Sequence, residues 1–165
     1  MCKTAIKLFY IFLIGCTILS VGCEKKTGEE IVAPPPAFEL YDTDSVLYSL
    51  KTYKGNPLMI HFWADWCPHC REEFPKLQQA YQNLKDRQIE ILAVNSGQSR
   101  AHVLEIKETY GLTFPVLVDE KAQVAKLYQV TGLPTTLFID SNGMIFKKYI
   151  GWLDEAQILE IFANM

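Results

Sequence analysis

The sequence predicts an α/β fold in which a mixed central β-sheet is flanked by helices. The first observation is alternation, since buried-type strand segments such as "NPLMIHFWA" and "IEILAVNS" are each followed by a segment of helical periodicity. The second is a hairpin signal at Asn142-Gly143 between two strand-like runs, which adds antiparallel strands. The third is size, because 165 residues with 49% hydrophobic content fit one domain with some chain left over.

Two short strand-like runs open the folded part, which we predict to span residues 37–165. They lie on either side of the turn signal "DTDS" in "AFELYDTDSVLYSL", and they predict an N-terminal β-hairpin. "NPLMIHFWA" follows as a nearly continuous apolar run, which is typical of a buried central strand.

A helix is predicted next, in "CPHCREEFPKLQQAYQNLKD". Its apolar residues recur at spacings of three and four and so share one face: Phe74, Leu77, Tyr81 and Leu84. Pro68 suits the first helical turn, where a missing N–H is tolerated, whereas Pro75 lies inside the pattern and should kink the helix.

The rest of the chain alternates strands and helices up to the final hairpin. "IEILAVNS" and "TFPVLVD" predict strands that enclose a helix in "SRAHVLEIKETYG", with Gly111 as its C-terminal stop. A short helix in "EKAQVAKLYQV" precedes the hairpin of "TTLFID" and "MIFKKYIG". The last helix lies in "DEAQILEIFANM", where Asp154 and Gln157 have capping-box spacing.

Residues 1–22 have the pattern of a signal peptide. Lys3 and Lys7 supply positive charge, and an apolar run then extends from Leu8 to Gly22. As a helix this run would measure about 22 Å, which falls short of the roughly 30 Å hydrocarbon core of a bilayer. A cleaved signal peptide is therefore favoured over an uncleaved membrane anchor.

The end of this segment resembles the lipobox of bacterial lipoproteins, because small and apolar residues in "LSVGC" precede Cys23 and charge follows at once. The resemblance implies cleavage before Cys23 and a lipid on its thiol, which would hold the protein on a membrane of the bacterial cell envelope, outside the cytoplasm. "LIGC" at Cys16 competes, but it would leave too short an apolar run after Lys7. Ser20, in place of the preferred leucine, keeps secretion without a lipid as an alternative.

We interpret residues 23–36 as a flexible tether. The segment is charged and then proline-rich, so it lacks apolar content to bury, and Pro34–Pro36 favour extended polyproline II. Fully extended, it would reach at most about 45 Å. The folded domain would therefore stay close to the membrane.

Charge and cysteine count restrict the function. A net charge of −3 gives no basic surface for nucleic acid. Of the five cysteines, signal cleavage would remove Cys2 and Cys16 and a lipid would occupy Cys23, which leaves Cys67 and Cys70 as thiols where disulfides persist.

The pair Cys67–Cys70 is a poor structural crosslink, because so short a loop constrains little chain. Structural zinc needs four ligands, commonly two such pairs, and the mature sequence has no second pair. We therefore predict no metal and no cofactor. Binding of Cu(I), which soft thiolates suit, is kept as an alternative.

The position of the pair favours redox chemistry. Cys67 lies where the central strand ends and the helix begins, and free N–H groups and the helix dipole there favour a thiolate. Cys70 lies one turn further in. Cys67 would therefore attack a substrate disulfide, and Cys70 would resolve the mixed disulfide.

The residues around the pair resemble those of the thioredoxin superfamily, and more narrowly the TlpA/ResA-like membrane-associated thiol–disulfide oxidoreductases. The resemblance covers Ala37 to Met165 and rests on "FWADWCPHC", "CREEFP" and the distant "TGLPTTLFID". It implies a thioredoxin-like fold with the N-terminal hairpin and a central α-β insertion at about 97–118. It also implies a cis peptide at Leu133–Pro134 beside the cysteines.

The same resemblance implies partners. They are protein thiols and disulfides, for example of apocytochrome c, and a membrane thiol reductase that donates electrons to a monomeric protein. A peroxidase of the peroxiredoxin kind is not expected, because Ile60 and Ala64 stand where it would need proline and a hydroxyl residue.

Two further residues support the predicted site. Glu73 aligns with a glutamate that family members keep near the thiols, where it tunes them or helps to select substrate. The alternative is a solvated charge beside Glu72. Trp66 should cover the pair and offer an apolar contact, with plain core packing as the alternative.

The three histidines have different expectations. His69, behind Pro68 in the motif, could donate a hydrogen bond or positive charge to the Cys67 thiolate and make the protein more oxidising. His61 occupies the strand position behind the pair, either as a proton relay to Cys70 or as a satisfied buried histidine. His102 is expected on the surface of the inserted helix.

The direction of electron flow has two conflicting signals. The whole-domain resemblance favours a reductant, whereas "CPHC" is also the motif of the oxidant DsbA, whose large helical insertion this chain has no room for. We favour the reductant. A disulfide-forming oxidase, a copper-binding chaperone and a thioredoxin-fold adaptor with an idle pair are the alternatives.

Overall fold

The computed structural model describes residues 28–165 as a mixed sheet covered by helices on both faces. Its strands are β1 (Glu29–Ala33), β2 (Glu39–Tyr41), β3 (Leu47–Ser49), β4 (Leu58–Trp63), β5 (Glu90–Ser96), β6 (Val116–Asp119), β7 (Thr135–Ile139) and β8 (Ile145–Ile150). Its helices are α1 (Pro68–Leu84), α2 (Arg100–Thr109), α3 (Gln123–Leu127) and α4 (Glu155–Ala163). Short 3₁₀ turns lie at Leu50–Tyr53 and Lys85–Arg87.

The main sheet has six strands in the order β1-β8-β7-β4-β5-β6. Strand β4 pairs in parallel with β5 and antiparallel with β7, so the sheet is mixed, as the sequence predicts. Strands β2 and β3 form the predicted N-terminal hairpin, and a single bridge from Asp42 to Leu117 links it to β6. The predicted fold class is confirmed.

Strand β4 separates two apolar cores. Side chains alternate across a strand, so Met59, His61 and Trp63 face the layer of α1 and α4, and the residues between them face α3. All six residues of β4 are buried, which explains its continuous apolar sequence. Helix α1 begins just beyond the C-terminal end of this strand, so the two core layers fix where its first turn lies.

Helix α1 packs through the predicted face. Phe74, Leu77 and Leu84 are fully buried, and Tyr81 packs against the same core. Pro68 is the first helical residue, where its missing N–H leaves no hydrogen bond unmade. Pro75 lies inside the helix, which continues through it as one element to Leu84.

Strand β1 corrects one part of the predicted flexible tether at residues 23–36, namely Glu29–Ala33. Its residues Glu29–Ala33 pair antiparallel with β8, with Glu29 opposite Lys148 and Glu30 opposite Lys147. Opposite charges facing across strands stabilise pairing by roughly 0.2–1 kcal/mol each. The low apolar content of the segment predicts no burial, but an edge strand is held largely by backbone hydrogen bonds to its one neighbour.

The predictions for the N-terminal segment lie outside the described residues. They are the signal peptide at 1–22, lipidation at Cys23 or Cys16, and the first part of the tether. Within residues 28–165, no helix has the length and apolar character needed to cross a membrane.

Helix α4 begins with the predicted capping box. The Asp154 carboxylate accepts a hydrogen bond from the Gln157 N–H at 2.8 Å, and the Gln157 side chain accepts one from the Asp154 N–H at 2.9 Å. We expect Asp154→Ala to lower the free energy of unfolding by about 1 kcal/mol, because it leaves a helix N–H without its cap. Urea titration measures this. Asp86→Ala, at an exposed position, is the control and should change little; equal effects of both substitutions would contradict the capping role.

Candidate active site

Cys67 and Cys70 are joined by a disulfide at the start of α1. Cys67 is the N-cap residue, and its sulfur accepts a hydrogen bond from the Cys70 N–H at 3.3 Å. The Cα atoms are 5.4 Å apart, a normal separation for a disulfide. Cys67 is 4% exposed and Cys70 is 0% exposed. An incoming sulfur can therefore reach Cys67 but not Cys70.

The helix N-terminus gives Cys67 its chemistry. The first N–H groups of a helix have no partner within it, and the helix dipole adds partial positive charge there. The hydrogen bond from the Cys70 N–H already points at the Cys67 sulfur. A negative charge on that sulfur is therefore stabilised when the disulfide is reduced and Cys67 becomes a thiolate.

Glu73 is buried behind the pair, one turn along α1 from Cys70. The residue is 1% exposed, and its Oε1 accepts a hydrogen bond from the Leu153 N–H at 2.9 Å. Burial raises the pKa of Glu73 to about 8, although the Leu153 N–H and the Lys76 charge act in the opposite direction. The carboxyl group is thus mostly protonated at pH 7, and the interpretation of Glu73 as a solvated surface charge is wrong.

His61 lies on β4 directly behind Glu73. Its Nδ1 is 3.0 Å from the Thr136 Oγ1, and its Nε2 is 3.9 Å from the Glu73 Oε2. Burial lowers the pKa of His61 to about 3, so the ring is neutral at physiological pH. Thr136 faces His61 because the two residues are register partners of β7 and β4.

Trp66 does not pack in the core. Its side chain is 68% exposed, immediately before Cys67, whereas Trp63 is the buried tryptophan of this segment. The alternative of plain core packing is therefore wrong. Trp66 offers an apolar surface beside the disulfide.

A small cleft of about 170 Å³ opens next to the first turns of α1. Its lining residues are His69, Glu72, Glu73, Lys76 and Trp152. The Lys76 ammonium lies 4.4 Å from the centre of the Trp152 ring, at cation–π distance. Trp152 follows β8 and is 43% exposed. Sequence reasoning missed it, although a tryptophan directly after Gly151, at the end of a predicted strand, is a usable signal.

His69 is solvent-exposed, and its ring makes its hydrogen bond to Glu72 rather than to a cysteine. The Nδ1 atom lies 3.3 Å from the Glu72 Oε2. The two residues are three positions apart on α1, where side chains are neighbours. A carboxylate beside the imidazole offsets the positive charge that a protonated His69 would present to Cys67.

The peptide Leu133–Pro134 is cis, as the resemblance implied. Leu133 packs against the apolar core that contains both cysteines, and the Pro134 carbonyl accepts a hydrogen bond from the Gly151 N–H at 2.8 Å. This bond ties the segment before β7 to the Gly151–Trp152 turn at the end of β8.

His102 is not a plain surface residue. Its Nε2 lies 3.2 Å from the Asp65 Oδ2, and the Arg71 guanidinium lies 3.6 Å from the other oxygen of Asp65. These contacts connect helix α2 of the insertion to the loop before Cys67. Sequence reasoning missed them, because His102 and Asp65 are far apart along the chain and no motif joins them.

Comparison with known proteins decides the family. The sequence profile of the AhpC/TSA family matches residues 31–148. The chain is 35% identical over 156 residues to the thiol-disulfide oxidoreductase ResA of Geobacillus kaustophilus, covering 94% of this chain and 90% of that one. It is also 35% identical to ResA of Bacillus subtilis, covering 94% and 87%. The chain belongs to the AhpC/TSA family as a ResA-like thiol–disulfide oxidoreductase.

Solved structures agree with the ResA-like assignment. A putative thiol:disulfide interchange protein DsbE from Chlorobium tepidum superposes with a TM-score of 0.75 at 28% identity, covering 83% of this chain and 98% of that one. An exposed lipoprotein thioredoxin, Etrx1, from Streptococcus pneumoniae superposes with a TM-score of 0.71 at 29% identity, covering 79% and 100%. The thioredoxin-like fold and the enzyme class predicted from sequence are confirmed.

The ResA-like site has no metal cluster in the described part of the chain. Across residues 28–165, no group of three or more histidine, cysteine, aspartate or glutamate side chains is arranged to hold a metal ion. What the site does hold is a disulfide with one reachable sulfur. The protein is thus an enzyme that exchanges electrons between thiols and disulfides.

Proposed function

We propose that this protein is an envelope-located disulfide reductase in which Cys67 is the nucleophile and Cys70 resolves the intermediate. The carrying observation is the asymmetry of the disulfide, since Cys67 caps α1 and keeps a small exposed fraction of 4%, whereas Cys70 is fully buried. The pair is supported by the residues around it, which are Trp66, Pro68, His69, Glu73 and the Leu133–Pro134 segment.

The proposed reaction has two sulfur transfers. The Cys67 thiolate attacks a substrate disulfide, forming a new S–S bond, and the second substrate sulfur leaves as a thiolate that takes up a proton. The Cys70 thiol then loses its proton and attacks the Cys67 sulfur. The Cys67–Cys70 disulfide forms, and the remaining substrate thiol is released. Two electrons have passed to the substrate, and a donor dithiol returns them to the protein.

The reducing direction is supported by the relatives and by the surroundings of His69. The relatives that match 94% of this chain are named ResA, and the sequence resemblance associates such proteins with reduction of apocytochrome c disulfides by electrons from a membrane thiol reductase. The contact of His69 with Glu72 weakens the main argument for an oxidant. The function that we prefer is therefore the reduction of apocytochrome c, carried out by a monomeric protein.

The direction is tested by mixing experiments in both senses. The reduced protein is mixed with a disulfide-bonded CxxC peptide, and the oxidised protein with the same peptide in dithiol form. We expect reduction of the peptide to proceed further and faster than its oxidation. Preferred oxidation of the peptide would favour the alternative, a disulfide-forming oxidase with the "CPHC" motif. Tight Cu(I) binding with negligible exchange in either sense would favour the copper chaperone.

Membrane attachment through Cys23 is part of the proposal. Etrx1, whose structure this fold resembles, is an exposed lipoprotein. We expect Cys23→Ala to release the protein from the membrane fraction, because the thiol that accepts the lipid is lost. Cys16→Ala is the matched control and should remain membrane-bound. Retention of Cys23→Ala together with release of Cys16→Ala would move the anchor to Cys16.

A further inference from the structure

Two buried polar atoms face each other behind the disulfide, and neither has a hydrogen-bond partner within residues 28–165. They are the Nε2 of His61 and the Oε2 of Glu73, 3.9 Å apart. Both side chains are fully buried. An approach of about 1 Å would turn this contact into a hydrogen bond. Unpartnered polar atoms in a core are rare and call for a reason.

The other hydrogen bonds of the two side chains indicate that one proton lies between the Glu73 Oε2 and the His61 Nε2. The Glu73 Oε1 is already an acceptor, from the Leu153 N–H, so Oε2 is the oxygen that carries the proton of the neutral acid. The neutral His61 ring can accept that proton's hydrogen bond at Nε2 while Nδ1 donates to the Thr136 hydroxyl. A hydroxyl can also donate, so the opposite tautomer suits the ionised carboxylate equally well.

The charged and titratable groups around the pair do not compete with it for this proton. Lys76 on α1 lowers the pKa of Glu73 but does not overcome its burial. Tyr149 on β8 faces the site, and burial, Asp154 and Glu73 raise its pKa, so its phenol stays neutral. Asp154 is occupied in capping α4. The remaining neighbour that exchanges a proton during the reaction is Cys70, three residues before Glu73 on the same buried helix face.

We propose that His61 holds the proton of Glu73 in the oxidised protein, and that the pair passes this proton to Cys70 and takes it back during each cycle. A donor thiolate attacks Cys67 and forms a mixed disulfide, the Cys67–Cys70 bond breaks, and Cys70 leaves as a thiolate that receives the proton of the pair. The second donor thiolate then attacks the donor sulfur of this mixed disulfide, so that the donor disulfide forms and Cys67 is released as a thiolate. When a mixed disulfide forms on Cys67, the Cys70 thiol returns the proton to Glu73 and attacks the Cys67 sulfur. The proton is conserved, and His61 is a positioning residue that acts through Glu73. This inference rests on the proposed order of attack.

Single-turnover kinetics of the full-length protein test the inference. The reduced protein is mixed with an aromatic nitrobenzoate disulfide, whose first thiolate reports attack by Cys67 and whose second reports resolution by Cys70. We expect the second phase to accelerate with pH as the pair ionises. In His61→Asn the amide still reaches Thr136 but not Glu73, so Glu73 loses its hydrogen bond to residue 61. Because a hydrogen bond to a charged group is stronger than one to a neutral group, this loss destabilises the ionised carboxylate more than the neutral acid. The midpoint of the pH dependence of the second phase should therefore move to higher pH, by about one unit.

Two variants separate positioning from packing. His61→Gln restores a polar atom near the Nε2 position and should move the midpoint back toward that of the wild type. In a Glu73→Gln background the pH step should disappear, and adding His61→Asn should change nothing further. Glu108→Gln, on the exposed face of α2, is the control for loss of a carboxylate.

Nitrogen NMR of the wild-type protein gives an answer that does not depend on how the variants fold. The His61 ring nitrogen signals should change between the oxidised and reduced forms at one pH near neutrality, because the proton moves between the pair and Cys70. Unchanged ring signals, or an unchanged midpoint in a folded His61→Asn, would overturn the inference. The absence of any first phase in the wild type would instead contradict the proposed function itself.

Discussion

Cys67→Ser abolishes thiol–disulfide exchange, whereas Cys70→Ser stops the enzyme after its first step and leaves the substrate attached to Cys67. The reason is the asymmetry of exposure, because of the two sulfurs only that of Cys67 belongs to a residue with any exposed area, while Cys70 is fully buried and bonded to Cys67. Serine is nearly isosteric with cysteine, but its hydroxyl does not ionise at physiological pH and cannot replace the thiolate as the nucleophile. Turnover in both variants should therefore fall to the uncatalysed rate, with opposite fates for the substrate.

Non-reducing gel electrophoresis with mass spectrometry distinguishes the two variants. Cys70→Ser incubated with a disulfide-bonded CxxC peptide should give an adduct that a small-molecule thiol removes. Cys67→Ser and the double variant should give none. An adduct on Cys67→Ser, with none on Cys70→Ser, would contradict the assigned order of attack.

The buried pair His61–Glu73 gives the oxidised protein a stability maximum in mildly acidic solution. The pKa of His61 falls from 6.5 in the unfolded chain to about 3 in the folded one, so its contribution to stability rises as the pH rises through that interval. The pKa of Glu73 rises from 4.5 to about 8, so its contribution falls as the pH rises through that interval. The two slopes cancel between pH 4.5 and 6.5.

The free energy of unfolding should therefore fall by about 2 kcal/mol between pH 6.5 and 8, at about 1.4 kcal/mol per pH unit for one group. Urea titrations of the oxidised protein between pH 4 and 9 measure this. In Glu73→Gln the alkaline decline should be absent, and in His61→Asn the decline should begin near pH 4.5. Glu108→Gln should follow the wild type. A Glu73→Gln curve that keeps the full alkaline decline would show that the carboxyl group is not the source.

Local patterning predicted most of the fold. The continuous apolar run of β4, the amphipathic spacing along α1 and the capping box of α4 are each determined within a few residues. Strand β1 was missed because its order comes from pairing with β8 at the other end of the chain. No feature within "EEIVA" itself specifies that partner.

In the candidate site as well, features set by neighbouring residues are visible in the sequence, whereas contacts between distant residues are not. The spacing of Cys67 and Cys70 and their position at a strand–helix junction are visible in the sequence. The approach of His61 to Glu73 is not, because it depends on which face of β4 packs against which face of α1. The contact of His102 with Asp65 likewise depends on how the inserted α2 lies against the loop before Cys67.

The reduction potential of the Cys67–Cys70 couple tests the proposed reductase most directly. The protein is equilibrated with glutathione buffers of defined ratio, and the oxidised fraction is read after acid quenching and thiol alkylation. Potentials of related couples extend from about −270 mV for thioredoxin to about −120 mV for DsbA. A reductase should lie well below about −150 mV, toward thioredoxin. A potential above about −150 mV would place the couple beside DsbA and contradict the assigned direction of electron flow.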